Sequence, residues 1–198
     1  AMTYGGAASW NVRDQHMMET LDNLLFRHND GQAIVWAHNT HIGDYHATDM
    51  LEDGYINLGG LAREKYGAEN VYLAGFGTYQ GTVLAGKAWE ATPEIMSLPA
   101  ARAESIENDF HEVTKKLKTN EVFMPFAENN LPGPITQKKG HRAVGVVYQG
   151  GDRHNYVPTH LSHRYDGFVF VDSTSALKSF EPVKPQQGLL PETWPNGI

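Results

Sequence analysis

Ala33-Ile34-Val35-Trp36-Ala37-His38-Asn39-Thr40-His41-Ile42-Gly43-Asp44 opens as an apolar run and turns abruptly polar at His38. Such a change marks a buried parallel strand, over 33–37, that empties into a loop. In open α/β sheets ligands sit outside the carboxyl ends of the strands. The loop carries two histidines three positions apart, with Asn39 between them and Gly43-Asp44 behind. The stretch therefore sets both the expected fold class and the place to look for chemistry.

The rest of the chain bounds the answer. At 198 residues it is long enough for a single domain with its own core. Hydrophobic residues make up 40% and charged residues 20%, which argues against disorder. No apolar run reaches the roughly 18–20 residues of a membrane helix, and the start has no basic flank or apolar core of a signal peptide. The absence of cysteine excludes disulfides, thiolate metal sites and a cysteine nucleophile, and fits a cytoplasmic protein. Net charge is −7, and the one basic cluster, Lys115-Lys116-Leu117-Lys118, favours a helix C-terminus rather than nucleic acid.

Outward from the opening stretch, apolar residues Met17, Met18, Leu21, Leu24 and Leu25 recur at helical spacing. They predict a helix over 9–28 capped by Ser9 or Asn11, with Arg13-Asp14 in its first turn and Asn29-Asp30-Gly31 ending it. A broken helix over 49–66 stops at Gly67. A strand over 71–77 leads into a tight polar turn, Gly77-Thr78-Tyr79-Gln80-Gly81-Thr82, which lacks the signature of a phosphate loop. Residues 90–99 and 129–139 read as loops, and 105–118 as an amphipathic helix with Ile106, Phe110, Val113 and Leu117 in register. Strands are expected over 121–126, 142–148 and 165–172, a short helix over 156–164, and an irregular proline-containing tail over 181–198. Five strand-like runs alternating with helices predict an α/β domain, a mostly parallel sheet with helices on both faces.

His38 and His41 admit three readings. One neutral histidine takes a proton from water while another polarises a carbonyl or serves the leaving group. Alternatively His38, His41, Asp44 and His46 hold a divalent metal, since imidazole and carboxylate suit zinc, manganese or iron. The plainest reading has both histidines satisfying backbone groups at a strand end. His160 and His163, with His154 nearby, form a second group that reads as surface or packing. No serine sits in a GxSxG elbow, which disfavours a serine-hydrolase triad.

Longer segments carry a resemblance. Ser9-Trp10-Asn11-Val12-Arg13-Asp14-Gln15-His16-Met17, then Trp36-Ala37-His38-Asn39-Thr40-His41-Ile42, resemble the erythromycin esterase-like family. Asn57-Leu58-Gly59-Gly60-Leu61-Ala62-Arg63-Glu64 looks like that family's next helix. Gly75-Phe76-Gly77-Thr78-Tyr79-Gln80-Gly81-Thr82-Val83 looks like its glycine-rich strand and turn. Ser105-Ile106-Glu107, Arg142-Ala143-Val144-Gly145-Val146-Val147-Tyr148, Tyr165-Asp166-Gly167 and Asp172-Ser173-Thr174 also fit, so the resemblance runs from about residue 9 to residue 180.

The resemblance implies a three-layer α/β/α fold and a hydrolase that needs no metal or other cofactor. The best-known members open macrolide lactones and confer macrolide resistance. It implies a small-molecule ester or lactone substrate cleaved by histidine-assisted attack of water. His38, His41 and Arg13 would be catalytic; Asn39, Arg63, Thr78 and Tyr79 would bind substrate. One departure stands out: the family's general-base histidine comes from an N-terminal Gly-Glu-x-x-His-Gly segment, and this chain has no Gly-Glu dipeptide. The chain is thus expected to correspond to a C-terminal portion of such a protein. Its function would be completed by an N-terminal segment, or survive as a non-catalytic binding or assembly module of the same fold. A sheet lacking its first strands would expose an edge and invite self-association.

Overall fold

The computed structural model describes residues 6–28, 31–89, 91–126, 133–151 and 155–178. Helix α1 spans Gly6–Arg27, so Ser9 and Asn11 lie inside it rather than capping it. Its inward side presents Asp14 and Met18. Met18 packs on Leu58 and Ala62 of α3 (Leu58–Tyr66), which follows the short helix α2 (Asn39–Ile42) and a 3-10 turn, Tyr45–Ala47. Asn57 caps α3 by accepting from the Gly60 amide at 3.1 Å.

The strand expected over 33–37 does not form. Residues 31–38 form neither helix nor strand, with Ile34 96% and Trp36 84% exposed. A strand is held by its ladder, and among the described residues no strand lies alongside this one. Trp36 instead leans on Phe76, ring centroids 5.4 Å apart.

The sheet is built from β1 (Ala74–Ala85), β2 (Glu94–Leu98), β3 (Glu121–Pro125) and β6 (Gly167–Thr174), in the order β2-β1-β6-β3. Only β1 and β6 run parallel, with Phe76 beside Val169; β2 is antiparallel to β1, and β3 to β6. The expected mostly parallel sheet is corrected to a mixed, mainly antiparallel one. The reason is visible in the chain. Residues 86–93 between β1 and β2 are too few for the crossover that a parallel pair requires, so β2 returns antiparallel. Residues 90–99, read as loop, supply that strand.

Nor do residues 77–82 turn. β1 is continuous through them, and Gly81, at φ 137°, lies so close to β6 that a Cβ there would be 1.9 Å from the Thr174 carbonyl oxygen. Glycine lets the strand continue there, where a turn was expected.

Helix α4 (Ile106–Leu117), capped by Ser105, covers one face of the sheet. Phe110 packs on Phe168 and Phe170 at ring separations of 5.0 and 5.4 Å. The buried side of α4 is Ile106, Glu107, Phe110 and Thr114, rotated from the expected apolar stripe, and Leu117 is exposed. The opposite sheet face carries Phe76, Val169 and Phe123 in one row, and both phenylalanines are exposed. The described residues therefore do not display the expected third layer over that row.

A second, two-stranded sheet pairs β4 (Lys138–Arg142) with β5 (Tyr156–His160). Before it lies the short helix α5 (Gly133–Thr136), and after it α6 (Leu161–Arg164). The strand expected over 142–148 is replaced by β4 just upstream, and the helix expected over 156–164 is half strand. The tail 181–198, His154 and the Asn29-Asp30 turn lie outside the described residues.

Candidate active site

The loop that begins at His38 becomes α2 by capping itself: the Thr40 amide donates to His38 Nδ1 at 3.3 Å. This single turn places His38 and His41 side by side with residues from α1, β1 and β4.

His41 is clamped on three sides. Its Nδ1–H donates to both carboxylate oxygens of Asp14, at 2.9 and 3.0 Å. Arg13 Nη2, which can only donate, reaches His41 Nε2 at 3.0 Å. The imidazole is thus the neutral Nδ1–H tautomer. Trp10 stacks on its face, centroids 4.4 Å apart and planes within 7°, and the Arg13 guanidinium lies 4.8 Å from the Trp10 ring. Asp14 has no exposed surface and also accepts from the Leu58 amide at 3.0 Å. Trp10, Arg13 and Asp14 lie on successive turns of α1, so one helix supplies the face, the cation and the carboxylate.

His38 takes the opposite tautomer. Its Nδ1 accepts from the Thr40 hydroxyl at 2.8 Å, while Nε2–H donates to the Val144 carbonyl at 3.1 Å. Part of its surface reaches solvent, yet dense protein around the ring desolvates it. That desolvation, reinforced by His41, His141 and Arg164, pushes its pKa down to about 4 despite the favourable bond to Val144. At neutral pH His38 is an acceptor, not an acid.

Asn39 is tied to the sheet. Its Oδ1 accepts from the Phe76 amide at 3.1 Å and its Nδ2 donates to the Phe76 carbonyl at 2.5 Å, so the side chain occupies the place of a neighbouring strand on the β1 edge. Arg164, fully buried, donates to the Asn39 carbonyl at 3.2 Å and to Thr159 Oγ1 at 2.9 Å. A cleft of about 280 Å³ opens beside Trp10 and Thr40, walled by Tyr55, Tyr156 and Met50 and carrying Asp49 and Asp53.

The remaining sequence-derived residues sit elsewhere. Arg63 bridges Asp44 at 3.1 Å and Asp166 at 2.7 Å and donates to the His163 carbonyl at 2.9 Å, a hub that joins α3 to the start of β6. Thr78 Oγ1 donates to the Gln80 carbonyl at 3.0 Å. Tyr79 stacks on His111 at 3.7 Å, on the α4 side of the sheet, and His111 pairs with Asp172. The alternative metal set His38, His41, Asp44 and His46 is not brought together by the described residues. His46 faces Asp44 and Glu64 while His41 faces Asp14, and among the described residues no three such groups converge on one point. His160 and His163 stand with rings 5.9 Å apart and, among the described residues, no carboxylate partner.

Three contributors carry little signal in the sequence. Asp14 reads as a helix-dipole charge. His141 is hidden by its place among the lysines of β4. Arg164 has no motif. A better signal exists for Glu107: a carboxylate three residues before Phe110 falls on the buried side of α4.

Comparison with known proteins bears on the family and the fold. The erythromycin esterase family profile matches residues 1–174. A Bacillus cereus protein is 21% identical with a TM-score of 0.66, over 86% of this chain and 40% of its own. A succinoglycan biosynthesis protein is 17% identical with a TM-score of 0.67, over 88% and 41%. A mutant of the erythromycin esterase EreC in its open conformation is 18% identical with a TM-score of 0.57, over 82% and 37%. This chain thus spans about two fifths of each of those structures. With the profile matching most of its length, the chain belongs to the erythromycin esterase family.

Proposed function

We propose that this chain carries part of the active site of a hydrolase that cleaves a carboxylic ester or lactone by attack of water. The observation that supports it is the Asp14–His41–Arg13 clamp: a carboxylate fixes the imidazole tautomer and a guanidinium stands at the other ring nitrogen. When water attacks the ester carbonyl, negative charge gathers on the carbonyl oxygen. Arg13 and His41 lie together where such charge can be met by a cation. The C–O bond to the leaving alcohol then breaks, and the alkoxide takes the proton that the water released. His38, neutral, draws the Thr40 hydroxyl hydrogen onto its Nδ1, so that the hydroxyl oxygen is left to accept from the water and orient it. Asn39 sets the loop and the cleft beside Trp10 receives the substrate. The strong base that removes the proton comes from a segment outside these residues, because the lone pairs of His38 and His41 are already engaged.

The test is hydrolysis of a panel of p-nitrophenyl esters and macrocyclic lactones by the protein, alone and with an added N-terminal segment from a family relative. Turnover is expected in the completed protein. Asp14→Asn and His38→Ala are expected to cut kcat by about 100-fold or more with the circular dichroism spectrum retained. No turnover in either form, or undiminished turnover in both variants, overturns the reading. The engaged lone pairs favour one other reading, a binding module of the same fold; ligand binding without turnover in the completed protein would select it.

A further inference from the structure

Behind the loop lies a second histidine–carboxylate pair that the reaction above does not use. His141 Nδ1–H donates to Glu107 Oε1 at 2.6 Å, and the same oxygen accepts from the Arg142 amide at 2.8 Å. Both side chains are sealed, His141 at 1% and Glu107 at 0% exposure. Among the described residues Glu107 Oε2 has no partner. A buried carboxylate with one unsatisfied oxygen is costly, so simple packing is a poor account of it. With Nδ1 committed to Glu107, His141 Nε2 is left as an acceptor, and it faces Asn39 Nδ2 at 3.3 Å.

We infer that the Glu107–His141 pair is a positioning device that sets the Asn39 amide, and through it the turn that presents His38 and His41. Its polarity runs one way. The carboxylate accepts from the imidazole, and the imidazole accepts from one Asn39 Nδ2 proton. The other Asn39 Nδ2 proton goes to the Phe76 carbonyl, while Asn39 Oδ1 accepts from the Phe76 amide. Every donor meets an acceptor in one amide orientation only. A flipped Asn39 would set its NH₂ against the Phe76 N–H and its oxygen against a lone pair of His141. Arg164 fixes the backbone of the same residue by donating to its carbonyl. Asn39 is therefore held through its main chain from α6 and through its side chain from α4 and β4. His141 touches neither His38 nor His41 by hydrogen bond and acts on them through Asn39, as a positioning residue and not a catalytic one.

The inference concerns geometry, so it can fail while the hydrolase reading stands, and the reverse. The first readout needs no variant: a long-range nitrogen-15 spectrum of the histidine rings at neutral pH. It should show His141 protonated at Nδ1 and bare at Nε2; an Nε2–H tautomer overturns the inference. The second readout uses His141→Asn, whose side-chain NH₂ takes the place of Nδ1–H toward Glu107 but whose side chain ends short of the Nε2 position that accepts from Asn39. The Asn39 side-chain protons should lose at least tenfold of their protection from solvent exchange, and the ring resonances of His38 and His41 should move. Amides in the middle of α4 should keep theirs. Unchanged Asn39 protection in a folded His141→Asn protein overturns the inference. Should that variant fail to fold, Asn39→Asp serves instead. A carboxylate facing His141 Nε2 should draw a proton onto that nitrogen, and an unaltered His141 ring spectrum would overturn the inference equally.

Discussion

At the residue scale the site is an exercise in tautomers. His41 and His38 lie three apart yet hold their protons on opposite nitrogens, because one faces a carboxylate through Nδ1 and the other a backbone carbonyl through Nε2. Spacing in a sequence cannot distinguish these states; partners do. The difference has a measurable consequence. His38 is held neutral in the fold by desolvation, with a pKa near 4 against an ordinary value near 6.5. The unfolded chain therefore takes up a proton first as the pH falls. The stability that His38 contributes is whole above about pH 6.5 and is lost progressively as the pH drops toward 4. The His38 ring is expected to titrate near pH 4 by NMR, and His38→Gln should flatten the part of the stability–pH curve between those values in urea titrations. A His38 midpoint near 6.5 would contradict this account of the ring.

At the element scale, short pieces are locked by close approach. Helix α3 crosses α2 so tightly that a Cβ on Gly59 would lie 2.1 Å from the Ile42 carbonyl oxygen. Gly59→Ala must push α2 away, and overpacking of this kind costs about 1–3 kcal/mol. The expected outcome is a lower midpoint in thermal unfolding together with shifted His38 and His41 resonances, since both histidines ride on the displaced turn. A variant with normal stability and unmoved histidines would show that α2 adapts freely. The helices α3 and α4 are legible because their caps and stops are local: Asn57 and Ser105 each accept from an amide three residues on, α3 ends at the expected residue and α4 one residue before it. The run 33–37 is not legible as what it is. Its composition is that of a strand, and whether such a run joins a sheet depends on a partner edge that local sequence cannot supply.

At the scale of the whole molecule, the sheet is covered by α4 on one side and shows Phe76 and Phe123 on the other, with Trp36 against Phe76 and exposed as well. Contiguous exposed apolar surface promotes association. The isolated chain is expected to self-associate, so that its weight-average mass in sedimentation equilibrium rises with concentration. Phe123→Lys should suppress the rise, because it places a charge within the exposed row. A monomer at every concentration would show that this face is tolerated bare. No helix among the described residues is long and apolar enough to cross a membrane.

Sequence alone determined the family, the amphipathic helices, and the polar loop that carries His38 and His41. These rest on local information: residue types that cap, alternate or recur within a few positions of one another. Arg13 and His41 stand out in their motifs without any knowledge of the fold, and the fold brings them together at 3.0 Å. Only the tertiary structure decided strand direction, the fate of residues 33–37, and the partners Asp14, Glu107, His141 and Arg164. Those depend on contacts between residues 27 to 125 positions apart, such as Asp14 with His41 and Arg164 with Asn39. A buried charge reads in sequence like any surface charge until the fold removes water from it, and that removal is a property of packing and not of order along the chain.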